Sequence, residues 1–332
     1  MPPAKRPLVI AHRGASGERP EHTLASYRLA LEQGADYLEP DLVMTRDGVL
    51  VCRHENEIGW TTDVASKPEF RTRRTTKQID GQPVTGWFTE DFTLAELKTL
   101  RARERIPDVR PANTAHDGRE PIPTFDELLA LVARAARPVG VYPELKHPGW
   151  FAQQGLPMEA ALLSALARAG LNRADAPVFI QCFEVGPLRA LRSQTPVKLV
   201  QLASQAGGPA DLAAAGRPRP YTDMLTATGL AEIATYADAV GVEKTLIVPR
   251  DTAARSLAPT ALVANAHAAG LQVHAWTFRS ENWFLPAELR RGASPEKGDF
   301  AAEYERFFAL GIDGVFSDHP ADAVRSAAAF AA

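Results

Sequence analysis

Three short segments of this sequence carry side chains able to do ionic and acid–base chemistry, at spacings that bring them together. His12 and Arg13 close the apolar run Leu8 to Ala11, Glu39 and Asp41 stand two apart within Tyr37 to Met44, and Glu144 and Lys146 stand two apart within Val139 to Lys146. Each run reads as a β-strand, and side chains along a strand alternate between its faces, so an i, i+2 pair points the same way. If the strands are neighbours, three carboxylates converge. Unpaired, they would raise one another's pKa, with burial adding to the penalty. A divalent cation removes that conflict. Ligands that are all oxygen suit a hard ion, Ca²⁺ or Mg²⁺, rather than zinc. His12 and His54 would then stand near the ion as general acid and base, with Arg13 and Lys146 placed to hold an anion. A cation, two basic side chains and two imidazoles together suit phosphoryl transfer.

The elements that must position these groups follow from the hydrophobic pattern. Short β-rich runs alternate with helix-period segments, which predicts parallel strands joined by helical crossovers. The remaining strands are expected near Val178 to Phe183, Val197 to Ala203, Ala239 to Glu243, Gln272 to Thr277 and Gly314 to Ser317, eight in all with the three above. Helices are expected at Thr23 to Gln33, Thr124 to Ala136, Met158 to Ala169, Leu230 to Ala237, Ala258 to Ala269, Tyr304 to Leu310 and Ala321 to Phe330. Thr124 followed by Glu127 reads as a capping box. Eight βα units predict an α/β fold, a closed (β/α)8 TIM barrel whose chemistry sits at the carboxyl ends of the strands.

The run Val49 to His54 follows the second strand too closely for a parallel crossover and must return antiparallel as a hairpin. With Arg46 and Asp47 as the central turn residues, Thr45 would face Gly48 and Glu39 would face His54; a three-residue turn would slip this register by one. Residues 55–123, rich in Thr, Arg, Pro and Gly with one expected helix at Leu94 to Arg103, read as a cap-like insertion within a single domain spanning 1–332. Without it the chain has about the 250 residues typical of such a barrel.

At these residues the sequence resembles the glycerophosphodiester phosphodiesterase family in its longer bacterial form. The resemblance runs from VIAHRGASGERPEHTLASYRLALEQGADYLEPDLVMTRDGVLVCRHENE through VYPELKH, QCFE and HAWTFRSENWFLP to GIDGVFSDHP. It implies a divalent-cation enzyme that hydrolyses small-molecule glycerophosphodiesters to sn-glycerol 3-phosphate and an alcohol. By motif position it implies Glu39, Asp41 and Glu144 as cation ligands, His12 and His54 as the acid/base pair, and Arg13 and Lys146 as phosphate contacts. Two departures stand out. The family's Pro-Glu-Asn-Thr is Pro20-Glu21-His22-Thr23 here, and its His-Asp is His54-Glu55. His22 would alter the hydrogen bonding behind the metal, and Glu55 the orientation of His54.

Other residues invite two readings. Gln181, Phe183 and Trp276 are candidates to line the glycerol or alcohol pocket, with core packing as the alternative. Trp87, Phe88, Phe92, Trp283 and Phe284 read as a satellite core or as an apolar rim, and His147, His274 and His319 as structural histidines. No dinucleotide loop, P-loop or Gly-x-Ser-x-Gly elbow occurs, and His12 has no His-x-His partner. The surviving rivals are a lysophospholipase D, a phospholipase C-like lipid enzyme and a non-catalytic barrel that binds phosphate esters. With 37 basic and 40 acidic side chains the net charge is −3, which gives no footprint for a nucleic-acid partner. No transmembrane run or signal peptide is evident, so the chain as written reads as cytoplasmic, or as periplasmic or secreted if a leader has been removed. Sequence leaves the oligomeric state open.

Overall fold

The computed structural model describes residues 6–332. Its strands are β1 (Leu8–His12), β2 (Tyr37–Glu39), β3 (Asp41–Met44), β4 (Leu50–Cys52), β5 (Thr75–Ile79), β6 (Gln82–Gly86), β7 (Gly140–Val141), β8 (Glu144–Leu145), β9 (Phe179–Cys182), β10 (Lys198–Ala203), β11 (Ala239–Glu243), β12 (Gln272–Phe278) and β13 (Gly314–Ser317). All but β5 and β6 form one curled sheet in the order β4-β3-β8-β9-β10-β11-β12-β13-β1-β2-β7, parallel except for the β3–β4 pair. Helices in the crossovers flank it.

Eleven strands stand in this sheet where eight uninterrupted ones and a hairpin return were expected; β4 is that return, and the other two additional strands have a local cause. Pro40 and Pro143 have no N–H to donate, so the second and third expected strands each break in two, into β2 with β3 and β7 with β8. The halves stay in step, because β2 pairs with β7 and β3 with β8. Across the breaks Tyr142 N donates to Leu38 O at 2.8 Å and Glu144 N to Pro40 O at 2.9 Å. The expected regular eight-stranded cylinder is thus corrected to an irregular, curled, largely parallel sheet.

Alternation along the strands sorts the core. Ile10, Phe179, Val200 and Phe316 share strand faces with His12, Gln181 and Leu202 and pack with Tyr142 and Ala239 as a small apolar plug. Tyr142 stacks on Phe179 with ring centroids 5.0 Å apart and meets Phe316 edge-on, also at 5.0 Å. The opposite faces, with Val9, Ala11, Ile180, Leu199 and Val315, join the larger cluster beneath the helices.

The hairpin register differs by one from the first expectation. Leu42 lies opposite Cys52, Val43 opposite Val51 and Met44 opposite Leu50, which puts Val49 rather than Gly48 across from Thr45. The turn therefore holds three residues, and Gly48 takes the left-handed φ of +78° that such a turn requires. Glu39 does not face His54 across the ladder; Arg53 N pairs with Asp41 O instead.

Several helices match their sequence signals. Thr23 caps Leu24–Glu32, and Thr124 and Glu127 form the expected reciprocal box at the start of Phe125–Ala133. The helix expected over Leu94 to Arg103 is only Leu94–Leu97, because Asp63 N bonds to Arg101 O and Thr62 bridges Ala102, pulling that backbone into extended pairing. Val185–Arg192 is a helix the hydrophobic pattern did not signal; Gly186 and Pro187 occupy its first turn, where proline costs no hydrogen bond. In residues 55–123, Ile58, Val64, Phe70, Phe88, Phe92, Leu97 and Leu100 are buried in the same apolar cluster as Val43 and Met44. Phe88 and Phe92 thus pack as core, while Trp283 is 63% exposed. Among the described residues no helix is long and apolar enough to cross a membrane.

Candidate active site

Strands β1, β2, β9, β11 and β12 deliver their last residues, or those just beyond them, to one cavity of about 420 Å³. His12, Arg13, Glu39, His54, Glu144, Lys146, Gln181, Phe183 and Trp276 all line it. Asp41 lies just behind, 1% exposed, and one oxygen each from Glu39, Asp41 and Glu144 fall within 4.8 Å of one another. The strand registers enforce this: His12 is level with Glu39, Asp41 with Glu144, and Glu144 with Gln181.

The polypeptide turns sharply where it enters the site. Arg13 adopts a left-handed φ of +61° and its N–H donates to Glu39 Oε2 at 2.9 Å. Gly14 follows at φ +85°, and a Cβ there would lie 2.4 Å from Ser26 Oγ, so only glycine fits. His22, also left-handed at φ +53°, donates from Nε2 to Asp41 Oδ2 at 2.9 Å, while its Nδ1 meets Tyr27 Oη at 2.7 Å. The residue that departs from the family pattern thus backs a carboxylate of the acidic cluster.

Electrostatics separate the three carboxyls. Burial and the neighbouring Asp41 and Glu144 charges hold Glu39 well above the usual carboxylate range. Burial and Asp41 push Glu144 up to about 8, against the pull of Lys146 Nζ at 2.8 Å. Burial alone would raise Asp41 too, but Lys146, His54, His22 and Arg13 hold it well below the range. Gln181 donates from Nε2 to Glu39 Oε1 at 3.0 Å, and its buried Oε1 has no hydrogen-bond partner among the described residues. Like-charge strain between buried oxygen donors is what a bound hard cation relieves, so the residues fit one.

Both imidazoles are backed by carboxylates. His12 donates from Nδ1 to Asp318 Oδ1 at 2.6 Å, and His54 from Nδ1 to Glu55 Oε1 at 2.5 Å. Their Nε2 atoms are therefore the unprotonated nitrogens of neutral rings. Burial and Arg13 lower the pKa of His12, and burial, Arg13 and Lys146 push His54 down to about 3. Phe183 meets Trp276 edge-on at 6.0 Å, with Lys146 Nζ 5.7 Å from the Phe183 ring.

Residues 12–322 match the sequence model of the glycerophosphoryl diester phosphodiesterase family. The chain belongs to that family. It is 36% identical over 326 residues to a glycerophosphodiester phosphodiesterase of Arabidopsis thaliana, covering 94% of this chain and 84% of the relative. A glycerophosphodiester phosphodiesterase of Haemophilus influenzae is 31% identical over 345 residues, covering 94% and 87%. Among solved structures, a glycerophosphodiester phosphodiesterase from Agrobacterium tumefaciens shares the fold at a TM-score of 0.59 and 20% identity, covering 98% of this chain and 100% of that one. An Oleispira antarctica phosphodiesterase solved with the product sn-glycerol-3-phosphate shares it at 0.63 and 21%, covering 96% of each.

Several wall residues of this cavity were not singled out in the sequence. Lys244, Arg250 and Arg279 add three cations, the first two paired with Glu303 and the third with Asp318. Lys244 and Arg279 each follow directly on a strand end, after Glu243 and Phe278, which was their available signal. Asp318 sits in the same relation to β13. His147, His274 and His319 stay outside the cavity lining; His147 bonds Asp80 and His274 bonds the Tyr142 hydroxyl.

Proposed function

We propose that this protein hydrolyses small, water-soluble glycerophosphodiesters to sn-glycerol 3-phosphate and an alcohol, with Ca²⁺ or Mg²⁺ held by Glu39, Asp41 and Glu144. The observation that carries the reading is one cavity lined by two carboxylate-backed imidazoles and by Glu39 and Glu144, with Asp41 buried close to both carboxyls. Membership of the phosphodiesterase family supports the same chemistry. When bound, the cation offsets negative charge on the phosphoryl oxygens. Arg13 and Lys146 orient the phosphate, and Gln181, Phe183 and Trp276 wall the organic part of the substrate. His12 and His54 carry the protons. One Nε2 accepts a proton from the attacking hydroxyl or water, and the other, its ring charged in response to the phosphate anion, returns one to the leaving oxygen.

We also read the split strands as single staves, which makes the sheet a distorted (β/α)8 barrel and residues 1–332 one domain. Residues 55–123 are a cap-like insertion whose apolar residues are continuous with the main core. Incubation with glycerophosphocholine or glycerophosphoethanolamine tests the activity. Glycerol 3-phosphate should appear with added Ca²⁺ or Mg²⁺ and stop with EDTA; tight binding without turnover in any divalent ion would return the reading to a non-catalytic barrel.

A further inference from the structure

The carboxylates behind the two imidazoles, Glu55 and Asp318, come from distant parts of the chain, yet both are held by one short piece of the inserted segment. Arg105 meets Glu55 as a fork, Nη1 to Oε1 at 3.0 Å and Nη2 to Oε2 at 2.7 Å, and Glu55 in turn holds His54 Nδ1. Five residues on, Arg110 Nη2 donates to Asp318 Oδ2 at 2.7 Å, and the other oxygen of Asp318 holds His12 Nδ1. Neither arginine belongs to the cavity lining.

The piece that carries them is braced at several points. Glu104 N donates to Asp117 Oδ1 at 2.7 Å, Glu104 Oε1 accepts from Ile106 N at 2.9 Å, and Glu104 Oε2 accepts from Asn113 Nδ2 at 2.8 Å. Arg110 N closes a turn onto Ile106 O at 2.9 Å. Arg110 is 93% buried at its side chain, with Nε on Glu281 at 2.6 Å. Arg105 also reaches Glu21, through Nε at 2.9 Å and Nη2 at 2.7 Å, and Glu21 holds Arg13 Nη1 at 2.9 Å. A planar guanidinium that binds both oxygens of a carboxylate fixes its rotation as well as its position, which an ammonium does not. The carboxylate then fixes ring orientation and tautomer in the histidine.

We propose that residues 104–110 of the insertion are a positioning device for both histidines, Arg105 acting through Glu55 on His54 and Arg110 acting through Asp318 on His12. The inserted segment is then a working part of the site rather than a cover over it. The device rests on the proposed acid/base roles of the histidines, and its two arms are independent in geometry. Asp318 has a second support, Arg279 Nε at 2.7 Å, whereas Arg105 is the only guanidinium bonded to Glu55 among the described residues. The His54 arm should therefore be the more sensitive.

The test compares Arg105→Ala, Arg105→Lys and Arg110→Lys with the unaltered protein in two measurements: kcat with cation saturating, and the ring-nitrogen NMR signals of His12 and His54. Arg105→Ala should lower kcat by about 10- to 100-fold with unchanged cation affinity, the usual cost of losing an orienting partner. It should shift the His54 signals and leave those of His12, and added ethylguanidinium should restore part of the rate. Arg105→Lys, which keeps the charge and loses the fork, should recover the fold fully and the rate only in part. Arg110→Lys should move the His12 signals instead. Wild-type kcat in a folded Arg105→Ala protein, or a fall in kcat with unmoved His54 signals, overturns the proposal. Absence of turnover in the unaltered protein would instead overturn the proposed function, and the NMR shifts would still decide the clamp.

Discussion

His22 shows how far one side chain determines the behaviour of its neighbours. It bridges Tyr27 and Asp41 with no exposure of its own, and burial pushes its pKa down to about 4, so near neutral pH it is an uncharged donor to an ionised carboxylate. Replacing it with alanine strands Asp41 Oδ2 beside Arg13 alone. His22→Ala should weaken divalent-cation binding by about 10- to 100-fold, measured by calorimetric titration, while His22→Asn should keep most of the affinity because an amide N–H can also donate there. On the proposed reading the imidazoles in the cavity carry protons, which gives them a different signature. His12→Ala and His54→Ala should each lower kcat by about 10²- to 10⁴-fold with little change in cation affinity, and full activity in either variant would remove that residue from the acid/base pair. Sequence alone marked both histidines and all three carboxylates, because their signal is local: a residue type at a strand end. It also singled out Glu55, the neighbour of His54, as bearing on that ring's orientation, but it did not mark Asp318 as the support of His12, since a contact across 306 residues leaves no spacing to read.

At the scale of elements, local chemistry was legible wherever it needed only neighbours along the chain. The capping box of Thr124 and Glu127 is such a case: Thr124 Oγ1 accepts from Glu127 N at 3.1 Å and Glu127 Oε2 accepts from Thr124 N at 2.7 Å. Thr124→Ala should cost about 1 kcal/mol, read as a lower urea midpoint with unchanged slope. Elements shaped by distant partners were less legible. The Leu94 helix stops after four residues because residues 101 and 102 pair with 62 and 63, which outweighs a helical preference that continues toward Arg103. Pro40 and Pro143 were visible, but whether a proline ends a strand or only interrupts one depends on whether its neighbours continue to pair, and here they do.

For the whole molecule, the buried acidic cluster makes stability depend on pH and on cation together. Glu144, with a folded pKa of about 8, and Glu39, also raised, bind protons more tightly in the folded than in the unfolded chain. Their contribution is therefore present below the ordinary carboxylate range and is lost as pH rises through the folded values. Glu184, raised to about 8 mainly by burial, has the same sign. The lowered pKa values of His12, His22 and His54 have the opposite sign, but that gain is complete once pH exceeds about 6.5. Between pH 6.5 and 8 these carboxyls make the cation-free protein less stable as pH rises. Thermal unfolding with EDTA should show a falling Tm over that window, a smaller fall in Glu144→Gln, and a rise in Tm with Ca²⁺ or Mg²⁺ that grows with pH.

The sequence by itself determined the residue types at the strand ends, the alternation that sends His12, Glu39 and Gln181 to one face, the return of the chain after Asp47-Gly48, and the family. These depend on period, turn chemistry and ordered motifs, all of which act over a few residues. Only the tertiary structure decided the one-residue register of the hairpin, the shortened helix after Thr93, the backing of Asp41 by His22, and the reach of Arg105 and Arg110 to carboxylates behind the two histidines. Those are long side chains and backbone pairs meeting across the fold, and their partners are chosen by packing, since a buried charge must find an opposite charge wherever the chain brings one near.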